Sequence, residues 1–237
     1  MRSQIRTART TGLFYLGLAL AGLFGFLLIR PQLYVDGDAG ETLARLVEHE
    51  SLARLGIALE MLIVLTMALA ALWFYRLFRT TDQFAAGCIA AFGLVNAGAV
   101  LGSAALSATA LEVALTADSD AADTYNLYAT GENLWGVGGM FFGLWLIPMG
   151  WCALRSRWMP RTLGWLLIGG GVGYVVSAFV PYLAPDAQTV ADVLVVPATA
   201  GELWMIGYLL IRGIGTHARN EDPRDTAAPP LASASGA

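Results

Sequence analysis

The chain has 237 residues, 57% of them hydrophobic and only 14% charged, with a net charge of −4. Soluble domains carry roughly 25% charged residues, and here the apolar residues come in long blocks, so a soluble globular fold is excluded and a helical bundle in a lipid bilayer is expected. The acidic balance, with no basic stripe interleaved by aromatics, excludes a nucleic-acid partner.

Arg2, Arg6 and Arg9 precede an apolar run over residues 11–29. The run is too long for a signal-peptide core. Its small-x-small site, Ala19-Leu20-Ala21, lies inside it, so it reads as an uncleaved first span with its N-terminus in the cytoplasm. Arg30 and Pro31 are expected to end it. Residues 34–51 are polar, with a turn signal from Asp36 to Gly40. Residues 41–50 place Leu43, Leu46 and Val47 on one face of a short interfacial helix. The second span covers about residues 54–75 and carries Glu60; Arg76 and Arg79 follow.

The third span, about residues 84–109, is rich in Ala and Gly and has Asn96 near its middle. Such weak hydrophobicity predicts burial among neighbouring helices. Residues 112–132 read as an acidic loop. The fourth span, about residues 133–154, contains Pro148, which is predicted to kink it. Arg155, Arg157 and Arg161 then form a basic turn. The fifth span, residues 162–180, holds Gly169, Gly170, Gly171 and Gly173, which let another helix approach closely. A short acidic loop leads to the sixth span, about residues 193–211, interrupted by Pro197 and Glu202. Residues 1–213 therefore form one six-helix transmembrane domain, and residues 214–237 a disordered cytoplasmic tail.

The arginines supply an independent check of orientation. With both ends in the cytoplasm, cytoplasmic segments hold eleven arginines and outer segments only three, Arg30, Arg45 and Arg54. Short Arg-rich loops resist translocation, so the expected fold is all-α, six spans, N-in and C-in.

Four polar residues fall in the middle or outer half of the spans. Glu60 lies six residues beyond Arg54, or about 9 Å deep at the helical rise, and Glu202 about 13 Å deep. Asn96 and Tyr174 lie near mid-depth. A carboxylate at such depth is expensive unless paired, protonated or facing water. One reading is a polar pocket open to the outside, lined by Glu60, Asn96, Tyr174 and Glu202, with Arg54 reaching Glu60 as its nearest basic partner. The other is that each acid, in its neutral form, joins two helices by a hydrogen bond.

His49, flanked by Glu48 and Glu50, has no further ligands at metal-binding spacing. Cys88 and Cys152 lie in apolar runs and read as packing groups. No catalytic, phosphate-binding or cofactor motif occurs in a suitable context, so neither a cofactor nor a metal is expected. Trp73, Tyr75, Trp151, Trp158 and Trp165 sit where an interfacial belt requires them.

Short motifs recur in order along the chain: TARTTGLFY from Thr7; Asp38-Ala39 with Thr42; RLGIA from Arg54; Phe142-Gly143-Leu144; Arg155-Ser156 with Pro160-Arg161 and Leu163-Gly164; Gly173-Tyr174; and Gly201-Glu202-Leu203 with Trp204. Together they resemble an uncharacterised bacterial multi-pass membrane family, the domain of unknown function 4386. The resemblance implies a multi-spanning fold in the bacterial cytoplasmic membrane with no assigned activity. It puts Arg54 and Glu202 on family motif positions and gives Glu60 none.

Three functions are consistent with these residues. The buried acids suggest a protein that binds or transports a small molecule or ion. The glycine face suggests a structural or regulatory protein that docks a membrane partner or a second copy. An intramembrane enzyme using either acid has the least support, because no nucleophile, metal or cofactor site accompanies them.

Overall fold

The computed structural model describes residues 2–213; the expected tail, with His217, Arg219 and Arg224, lies outside the described residues. The chain is all-α, with six helical segments long and apolar enough to cross a bilayer. The first comprises α1 (Arg2–Gly22), a π-helical turn (Leu23–Ile29) and α2 (Arg30–Leu33). After the amphipathic α3 (Ala39–Glu48) come α4 (Glu50–Phe78), α5 (Gln83–Ala114) and α6 (Ala121–Arg155). The basic turn leads into α7 (Arg161–Ser177), a short α8 (Val180–Leu183) and the last span, α9 (Gln188–Ile211).

The long helices form a ring in chain order. α1 packs on α4, α4 on α5, α5 on α6, α6 on α7 and α7 on α9, and α9 returns to α1 as the sparsest of these contacts. Gly12 of α1 lies against Leu209 and Leu210 of α9, so the described chain begins and finishes at the same end of the bundle. That end carries Arg76, Arg79 and Arg155 and is called here the arginine-rich end. There Asp82 caps α5, accepting from the Ala85 backbone N–H, and meets the Trp151 indole N–H and Arg155 at 3.2 Å.

Aromatic side chains fill the middle of the ring. Tyr15 is 1% exposed and lies edge-on to both Phe74 and Trp145, with centroids 5.3 and 5.4 Å away. Edge-to-face pairs hold rings in one orientation better than aliphatic packing does, so the Tyr15 hydroxyl is aimed as well as buried.

The helices run further at the acidic end than the hydropathy implies. Residues 121–132 are not loop but the first turns of α6, started by Asp120, whose carboxylate accepts from Ala122 N–H. At 35 residues α6 is about 50 Å long, beyond the ~30 Å of a hydrocarbon core. Its overhang packs with α3 and the end of α5 into a second small core containing Leu33, Leu46, Leu111 and Tyr128. α6 and α9 both pass through their prolines, Pro148 and Pro197, as continuous helices.

The glycines of α7 are used inside the bundle. A Cβ on Gly170 would lie 2.5 Å from the Ala198 backbone N, one on Gly173 2.5 Å from the Leu194 carbonyl, and one on Gly171 2.8 Å from the Gly143 carbonyl. Gly169 faces open space. The close approach expected from this cluster is therefore made by α6 and α9 of the same chain.

Candidate functional site

Two separate polar sites stand in the bundle, each lined in part by the first span. The larger is a cavity of about 410 Å3 lined by α1 and the π turn, α5, α6, α7 and α9, with Ile63 of α4. Helical spacing assembles it. α9 contributes Thr199, Glu202, Leu203 and Ile206, α6 contributes Trp135, Gly139 and Phe142, and α5 contributes Asn96 and Val100. These are steps of three, four and seven, which fall on one helix face. Leu20, Leu23, Leu27 and Leu203 are among its exposed lining residues, so its mouth lies between the first and last spans, within their apolar stretches.

The polar groups of this cavity are few and convergent. The Tyr15 hydroxyl donates to Glu202 Oε1 in a short hydrogen bond. The second Glu202 oxygen has no hydrogen-bond partner among the described residues. The Asn96 amide, on a residue 7% exposed, has none either, although it lines the cavity. Tyr174 completes the set, its ring 5.3 Å from that of Phe142. An apolar cavity of this size with a few convergent polar groups has the character of a small-molecule site. A second cavity of about 440 Å3 adjoins it, sharing Trp135, Gly139 and Tyr174, and continues past Tyr182 to Gln188 and Asp192 at the acidic end.

The smaller site surrounds Arg30. Its guanidinium lies 3.8 Å from Glu60 Oε1 and donates through Nε to Glu132 in a short ion pair. It also faces the rings of Phe26 and Tyr128 at 5.3 and 5.6 Å, within cation–π range. The residual space is about 20 Å3, lined by Arg30, Glu60, Ser107 and Tyr128 among others. Arg30 Nη2, Glu60 Oε2 and Ser107 Oγ are buried here without protein partners. The space suits one bridging water and nothing larger.

Of the residues singled out from sequence, Glu202, Asn96 and Tyr174 meet in the large cavity. Glu60 does not join them: it lines the small one, a turn away from Ile63, which reaches the large one. Arg54 reaches neither; it is largely exposed and pairs with Glu50 at 2.7 Å. The basic partner of Glu60 is Arg30, which continues the first span instead of ending it. Pro31 fits because the first turn of a helix needs no N–H from it. The π turn before Arg30, with Arg30 N–H bonded to Gly25 O, winds with more residues per turn than an α-helix. Side chains beyond it therefore face where 3.6-residue counting does not put them. An arginine at the otherwise arginine-poor end was the signal for this clamp. For Tyr15 the signal was a phenol in mid-span, whose hydroxyl must find a partner when buried.

Cys88 and Cys152 are free thiols. Among the described residues no group of three or more His, Cys, Asp or Glu side chains could hold a metal ion.

Comparison with curated proteins gives no match, and comparison with solved structures gives none. A family model does match, over residues 10–213, which span all six membrane-crossing segments and both polar sites, and the chain belongs to that family, described as a domain of unknown function (DUF4386).

Proposed function

We propose that this protein is a small-molecule binder of the bacterial cytoplasmic membrane, oriented with its arginine-rich end in the cytoplasm. Its site is the mid-span cavity, with Glu202, Tyr15, Asn96 and Tyr174 as polar anchors. The observation that carries the reading is the Glu202–Tyr15 pair at the wall of a 410 Å3 space. An acid that served only to join two helices would be packed on all sides. The orientation is supported by the eleven-to-three distribution of arginines, and more so because one of the three, Arg30, is buried in an ion cluster. Docking a partner through the α7 glycines has less support, since α6 and α9 already occupy that face.

The test is ligand-induced thermal stabilisation of the purified protein in detergent, using a panel of small apolar compounds of differing charge. At least one compound should raise the midpoint saturably. Gly139→Leu, whose Cβ has 3.5 Å of room to Tyr174 and whose remaining atoms would enter the cavity, should abolish that shift. Glu60→Gln should keep it, because Glu60 lines the other site. No shift with any compound, or a shift undiminished in Gly139→Leu, would end this reading.

A further inference from the structure

The two adjoining cavities, about 410 and 440 Å3, are alike in size and in charge. Together they hold two acids, Glu202 and Asp192, and among the described residues no Arg, Lys or His. Four aromatic residues line the same cavity as Glu202: Tyr15, Trp135, Phe142 and Tyr174. The negative faces of such rings attract a cation, most strongly where water is excluded. Arg30 packs on Phe26, which lines the second cavity, but its charge is taken up by Glu132 and Glu60. Asn96, more than nine-tenths buried and without a partner, supplies a neutral dipole able to turn its carbonyl to the ligand. The mouth between the first and last spans is framed by leucines within their apolar stretches, where the surroundings are acyl chains.

From this arrangement we infer that the ligand is a lipophilic cation, an ammonium or comparable onium ion on an apolar body, reaching Glu202 from the lipid between α1 and α9. The inference rests on the mid-span cavity being a ligand site and adds the chemical class. Glu202 faces the cation with its free oxygen while Tyr15 holds the other. The aromatic walls pack the apolar body, and Asp192 marks the acidic end of the same path.

The probes are tetraphenylphosphonium and tetraphenylborate, alike in shape and opposite in charge, titrated calorimetrically into the full chain in neutral detergent. Tetraphenylphosphonium should bind saturably and tetraphenylborate should not. Glu202→Gln, which keeps the size and the bond to Tyr15, should weaken phosphonium binding roughly tenfold or more, as expected when one partner of a desolvated charge pair is removed. Gly139→Leu should abolish it. Because the charge-reversed probe needs no mutation, the outcome does not depend on any variant folding. If the borate binds as well as the phosphonium, or if Glu202→Gln leaves phosphonium affinity unchanged, the cation assignment fails. The cavity reading still stands in that case provided binding is lost in Gly139→Leu. If neutral compounds bind and the phosphonium does not, the cation assignment alone fails. If no probe of any charge binds, both fall together.

Discussion

Glu60 and Glu202 look alike in the sequence, each a lone acid in an apolar span, yet the bundle treats them differently. Glu60 sits beside an arginine that also holds Glu132, in a space of about 20 Å3. Glu202 has one phenol and an open wall of about 410 Å3. The first arrangement ties three helices together through charge; the second leaves hydrogen-bonding capacity at the wall of a cavity. What separates a structural acid from a candidate site is therefore the company and the space around it, not its depth.

That contrast is easiest to break at Arg30. Arg30→Met leaves two partly buried carboxylates without a counter-charge and should lower stability by about 2–4 kcal/mol, measured as denaturation in detergent. Adding Glu60→Gln and Glu132→Gln should recover most of the loss. A near-neutral Arg30→Met would mean that the cluster does not clamp the helices and that the two acids are less different than they look.

The next test concerns the wall behind Glu202. Gly170→Ala would set a methyl 2.5 Å from the Ala198 backbone, whereas at Gly169 nothing lies within 4 Å. The first should destabilise by roughly 1–3 kcal/mol through overpacking. The second should be neutral or stabilise by up to about 1 kcal/mol through helix propensity. Equal effects at the two positions would show that α7 and α9 are not locked, and the cavity would lose its fixed wall.

The smallest effect is expected at a third acid, outside the spans. The Ala85 backbone N–H, the Trp151 indole and Arg155 hold the Asp82 carboxyl below its ordinary value of 3.8. A lowered value means the stabilisation is complete above the ordinary range and fades as pH falls through it and below. Asp82→Asn keeps a capping side chain, so the wild-type advantage should be small near neutrality and vanish in strong acid. Denaturation midpoints of both forms across that range provide the check.

Much of this architecture could be read from hydropathy, because six apolar blocks punctuated by arginines leave few alternatives. The amphipathic α3 was legible too, from Leu43 and Leu46. The two ends of the acidic side were not. Residues 121–132 are polar, and their helix is stabilised by tertiary contacts of Thr124 and Tyr128, which periodicity does not register. Arg30 was hidden by the π turn and by a proline that resembles a stop. At the site, Glu202, Asn96 and Tyr174 share a depth and share the cavity. Glu60 shared much the same depth but not the face, and depth along an axis carries no information about rotation around it.

The closure of the ring by α1 against α9 has a consequence for biosynthesis. The polypeptide leaves the ribosome from its N-terminal side, so Tyr15 is inserted long before its acidic partner is translated. Until the sixth span arrives, the phenol has no Glu202 to donate to and the chamber lacks one of its sides. A chain interrupted before Gln188 would hold five spans and an open trough, so completion of synthesis and completion of the chamber are the same event.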